Sequence, residues 1–167
     1  CLVGSEMCIR DRYVLVAIQI AAIVLFDVVA IRNAYNNGGF DFTPISLEWF
    51  NPVGIGSFSL IAAGISLSIF MFWGWDVTLT MNEETKNPEK TPGRAATITV
   101  LIIIALYILT ALAVISWAGT GDTGLGAGNP ENQESIFAVL SEPVLGKASI
   151  LIYIAVLSSS FASLQST

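Results

Sequence analysis

Apolar residues in this chain gather into four long blocks, Tyr13 to Ile31, Phe58 to Leu79, Ala96 to Ala118, and Ala148 to Thr167, instead of recurring at amphipathic spacing. Each block is close to the ~20 residues that a helix needs to cross a hydrocarbon core. Backbone groups in lipid must bond to one another, and barrel strands would alternate in polarity, so the blocks predict helices. The pattern predicts an all-α multi-pass membrane protein with four spans in a lipid bilayer.

The connections differ in character. The first, Arg32 to Ser57, is long and rich in Gly, Asn, Pro and aromatics, whereas Asn82 to Ala95 is short and densely charged. The third, Gly119 to Lys147, opens with a flexible Gly-rich run and then reads as a short surface helix near Ser135 to Leu140, ended by Pro143 and Gly146. The short loop carries Lys86, Lys90 and Arg94 against Arg32 and Lys147 in the two longer ones, so it is expected in the cytoplasm. The first block then runs outward and the next three alternate.

Composition narrows the function classes. The chain is 54% hydrophobic and 12% charged, with a formal charge of −6 and no His. No basic tract offers a nucleic-acid footprint, and the commonest metal ligand is missing, so no metal site or cofactor is implied. Both cysteines lie in "CLVGSEMCIRDR", residues 1–12, whose polarity breaks abruptly at Tyr13. That string resembles the read-through translation of a sequencing-library adapter and is set aside from the native fold. The chain also stops inside an apolar run, "LSSSFASLQST", and reads as an internal fragment, with residues 13–167 forming the membrane part.

The second block raises a sharper question. From Ser57 to Glu84 the helical pattern covers 28 residues, which as one helix would be about 42 Å long, more than the ~30 Å core. Gly74, between Trp73 and Trp75, is the natural place for a break. Unwound backbone there leaves free carbonyls on one half-helix and free N–H groups on the next, with Asp76 beside the positive terminus. Phe72, Trp73, Gly74, Trp75 and Asp76 are therefore candidate substrate-binding residues: carbonyls suit an ammonium group, and Phe72 can cover an apolar side chain. The bland alternative is a Gly-kinked helix whose Asp bonds a neighbouring helix. A charge in the span favours a task, since burying it costs about 2.5 kcal/mol or more.

The segment following the break has its own structural account: Asn87-Pro88 ends one helix, and Thr91-Pro92 caps and starts the next. Taken together with Phe72, Gly74, Trp75 and Asp76, however, Glu83, Glu84, Lys86, Asn87, Pro88, Lys90, Pro92, Arg94 and Ala95 form a phrase. The phrase resembles the helix-six signature of the amino acid, polyamine and organocation (APC) permease superfamily. Pro92 comes one residue earlier than in its commonest form.

The resemblance implies that the four spans are helices five to eight of about twelve, a partial LeuT-type inverted-repeat transporter fold with substrate held where helices one and six unwind. It implies a secondary active transporter moving amino acids or related amines by alternating access, with possible proton or sodium coupling. Ser158, Ser159 and Ser160 fall on the helix that faces the ion site in sodium-coupled members. Some proton-coupled relatives place a Lys on helix five, where the first block here offers only Gln19 and Asp27. Asp27 is expected near the outer end of its span, within reach of water. The reading from a different class is a scaffold or an enzyme subunit within the membrane. No paired carboxylates, His or Ser-base arrangement supports an enzyme.

Overall fold

The computed structural model describes residues 5–71, 90–133 and 135–164. Helices are α1 (Ser5–Asn37), α2 (Phe58–Met71), α3 (Thr91–Ala118), α4 (Pro130–Gln133), α5 (Ile136–Leu145) and α6 (Ile150–Leu164), and no strand occurs among the described residues. Three stretches are long and apolar enough to cross a membrane: Tyr13–Asn37, Thr91–Ala118 and Ile136–Ser160. Phe58–Ile69 is a shorter apolar helix, and the rest of the expected second span lies outside the described residues.

The helix ends follow local chemistry. The first span outlasts the expected Ile31 because nothing from Arg32 to Asn37 breaks a helix; it stops where Gly38 takes a positive φ of 86°. The third begins at Thr91, with Pro92 in the first turn, where a missing N–H removes no helical bond. The helix α1 also runs upstream over Ser5 to Arg12, the stretch set aside on sequence grounds.

The chain divides into two compact units, Cys1–Pro44 with Leu109–Thr167, and Ile45–Ile108. In the first unit, Ala22, Phe26, Ala30 and Ala34 make a buried stripe along α1 at a spacing of four. Its small residues permit close helix approach, which is how helices pack where lipid removes the hydrophobic drive. The same core takes Ala113, Val114, Trp117 and Ala118 from α3, Leu140 and Val144 from α5, and Ile152 and Ala155 from α6.

Backbone bonds close one end of this unit. Phe40 N and Asp41 N donate to Trp117 O at 2.8 and 3.2 Å, and Thr43 N donates to Ser116 O at 3.2 Å. The chain leaving α1 thus satisfies carbonyls at the end of α3 that the helix itself cannot. Gly119 follows with φ 69°, and its N–H donates to Ile115 O at 2.9 Å.

The Gly-rich run after α3, expected to be flexible, is instead folded on itself. Asn129 Nδ2 donates to Gly124 O at 2.9 Å, while Asn132 Nδ2 donates to Gly124 O at 2.8 Å and to Gly126 O at 3.3 Å. Nor is α5 a surface helix that Pro143 ends. It continues through Pro143 to Leu145, stops at Gly146, and buries Leu140, Ser141 and Val144. Its docking is apolar, with the Phe137 ring edge-on to Phe26 at 5.5 Å, and polar, with Asn33 Nδ2 donating to Val144 O at 3.0 Å.

The second unit begins with two 3-10 turns, Leu47–Phe50 and Pro52–Ile55. Ser46 Oγ caps the first by accepting from Glu48 N at 3.2 Å, and Asn51 Oδ1 caps the next by accepting from Val53 N at 3.1 Å. On α2, Ser66 and Ser68 bond carbonyls one turn back, Ala62 O and Gly64 O, so their hydroxyls need no partner in lipid.

Candidate functional site

The expected substrate element, Phe72 to Asp76, lies outside the described residues, as do Glu83, Glu84, Lys86, Asn87 and Pro88 of the charged loop. Four members of the phrase are described, Lys90, Pro92, Arg94 and Ala95, two of them charged. Lys90 immediately precedes α3 and Arg94 sits in its first turn; both are exposed, and Arg94 N donates to Lys90 O at 3.2 Å.

The three serines expected on the ion-facing helix are all on α6, and successive residues of a helix point about 100° apart. They do not converge. Ser158 is buried; its Oγ accepts from Gln19 Nε2 at 3.2 Å and donates to Ala155 O at 2.8 Å. Ser159 is exposed and lines a recess of about 200 Å³ together with Gln19, Ile23, Phe137, Ile152 and Val156. Ser160, also exposed, donates to Val156 O at 3.1 Å.

Gln19 is what sequence reasoning left without a partner. Its amide reaches from α1 to α6, so the polar position of the first span and the buried serine of the last form one uncharged contact. The recess beside it has apolar walls and two neutral polar groups, the Gln19 amide and the Ser159 hydroxyl. Amide and hydroxyl oxygens are hard ligands of the kind that suit an alkali cation, and neither group supplies a charge of its own. No cluster of His, Cys, Asp and Glu able to hold a metal ion occurs among the described residues.

Asp27 stands where the sequence did not put it. It does not reach water: it is fully buried, and its Oδ2 accepts from Thr110 Oγ1 at 2.9 Å, tying α1 to α3. Its other oxygen, Oδ1, is buried with no hydrogen-bond partner among the described residues. The signal available in the sequence was an Asp inside an apolar run; Thr110, inside another, carried none of its own.

Comparison with known proteins adds a family to this geometry. The amino acid permease family profile matches residues 6–167. A branched-chain amino acid permease, BcaP, of Lactococcus lactis subsp. cremoris (strain MG1363) is 30% identical over 160 residues, covering 92% of this chain and 33% of the relative. The chain therefore spans about a third of the length of that relative. No solved structure gives a significant match.

Proposed function

The chain belongs to the amino acid permease family, a multi-pass integral membrane protein, and on that premise we propose that it is part of a secondary transporter for amino acids that works by alternating access. The match across nearly the whole chain carries the proposal. Support for aliphatic substrates comes from the branched-chain permease relative. A leucine-like side chain also suits the aromatic surroundings proposed for the helix-six break, where Phe72, Trp73, Gly74, Trp75 and Asp76 bind the substrate. Phe72 covers its side chain, and backbone carbonyls freed at Gly74 accept from its ammonium group.

In this reading the charged loop holding Glu83, Glu84, Lys86, Asn87, Pro88, Lys90 and Arg94 is the cytoplasmic connection that joins the broken helix to α3. A proton or sodium gradient, or exchange, gives transport its direction, and Ser158 to Ser160 with Gln19 form the coupling region. The Gln19–Ser158 bond supports that assignment by joining α1 to α6 through polar groups inside the membrane. Bound substrate favours whichever state closes over it, and the shift is limited by its difference in affinity for the two states.

The test is uptake of labelled leucine by cells expressing the full-length permease that contains this segment. Saturable uptake that isoleucine and valine inhibit is the expected outcome. Uptake no greater than in cells lacking the gene, for every amino acid tried and with the protein present in the membrane, overturns the proposal.

A further inference from the structure

The Asp27 carboxyl lies about 15 Å along the helix from Asn37, and Thr110 about 12 Å from Ala118, so the two meet well inside their spans. Phe26 and Ala30 on α1 and Ala113 and Val114 on α3, their neighbours in sequence, belong to the buried apolar core. Where burial is described, the other charged and titratable groups on the elements packed here lie at exposed positions: Tyr13, Arg32 and Tyr35 on α1, Arg94 and Tyr107 on α3, Glu142 on α5 and Tyr153 on α6, with Lys147 between the last two. A carboxylate buried as an ion needs a counter-charge or a set of donors. The described residues give it one hydroxyl, on Oδ2, and leave Oδ1 with none.

We propose that Asp27 is a proton-binding site within the membrane, with Thr110 holding Oδ2 and the proton carried on Oδ1. An ionisable residue inside a span is costly enough that its presence points to a task, and proton relays are a common one. Release is a simple ionisation: when water reaches the pair, the O–H bond on Oδ1 breaks, the electron pair stays on the carboxylate, and the proton passes to water. The Thr110 hydroxyl keeps its bond in both forms because it donates to an oxygen that accepts in both. Asp27 sits eight residues along α1 from Gln19, so this site is separate from the Gln19–Ser158 contact.

Infrared spectroscopy of the purified full-length permease tests the assignment without requiring transport, so it stands or falls independently of the amino acid reading. At neutral pH the wild type should show the C=O stretch of a buried carboxylic acid, and the near-isosteric Asp27→Asn should lose that band. Thr110→Val, which keeps Asp27, should move the band to higher frequency by removing the hydrogen bond to its carbonyl oxygen. A carboxylic region unchanged by Asp27→Asn overturns the proposal, and so does a band that Thr110→Val leaves in place. If Asp27→Asn does not fold, the Thr110→Val shift decides alone.

Discussion

Leu140→Ala should loosen the docking of α5 on α1 more than any other single truncation in that helix. Leu140 is fully buried, on a helix of only ten residues whose other attachments include Val144, the partly buried Ile136 and Leu145, the Phe26–Phe137 ring contact and the Asn33 bond to Val144 O. A buried Leu→Ala change costs about 2–5 kcal/mol, whereas an edge-on aromatic pair contributes about 0.5–1.5 and an interhelical hydrogen bond in a membrane about 0.6. Leu140 therefore outweighs the ring-edge contact and the hydrogen bond singly, and outweighs their sum at the middle of these ranges. Hydrogen exchange of α5 amides in the full-length permease, held in nanodiscs, reads the local opening. A loss of 2 kcal/mol corresponds to about thirtyfold faster exchange, and larger losses scale by tenfold per 1.4 kcal/mol. Glu142→Ala, on the exposed side of the same helix, should change exchange by less than about twofold, as surface substitutions do. Equal protection of α5 in Leu140→Ala and wild type would refute the claim that this helix is held by its apolar face.

Two further outcomes follow from other parts of the fold. Gly119→Val should lower the melting temperature of the solubilised permease, because Gly119 has φ 69° and a Cβ there would meet the Asp41 carboxylate; left-handed backbone alone costs a β-branched residue about 1–2 kcal/mol, and an unchanged melting temperature contradicts this. In intact cells Thr85→Cys should resist an impermeant thiol reagent and Asp122→Cys should react with it, since the loop holding Lys86, Lys90 and Arg94 is proposed to face the cytoplasm; the reverse pattern inverts the topology.

What the sequence made legible was set by local chemistry. The apolar blocks drawn from Tyr13 and Ala96 coincide with long apolar helices, whereas the block drawn from Ala148 falls inside the apolar stretch Ile136–Ser160, and Thr91-Pro92 stands where α3 begins. What it hid was long-range. Asp27 looked as though it reached water because its depth along α1 says nothing of which side Thr110, 83 residues later, will approach. The run after α3 looked flexible because its Gly content is a local property, while the carbonyls of Gly124 and Gly126 are bonded by an Asn six or eight residues on. Likewise α5 looked like a surface helix because ten residues with a Pro carry no sign that α1 presents Asn33 and Phe26 to them. Gln19 and Ser158 were both singled out as polar, but only the packing of α1 on α6 joins them. For the helix-six phrase at Phe72 to Asp76, which lies outside the described residues, the sequence remains the whole argument.

The central claim, that this segment contributes the broken substrate-binding helix of an amino acid permease, is tested most directly by counterflow in liposomes holding the full-length protein. With unlabelled leucine trapped inside, labelled leucine added outside should accumulate transiently, because a carrier that alternates access exchanges one molecule for another without a gradient. Gly74→Leu should abolish that accumulation and leucine binding together while inserting into the membrane at the wild-type level. Wild-type counterflow and affinity in Gly74→Leu would contradict the account, since an intact helix at that position leaves no unwound backbone to hold the substrate.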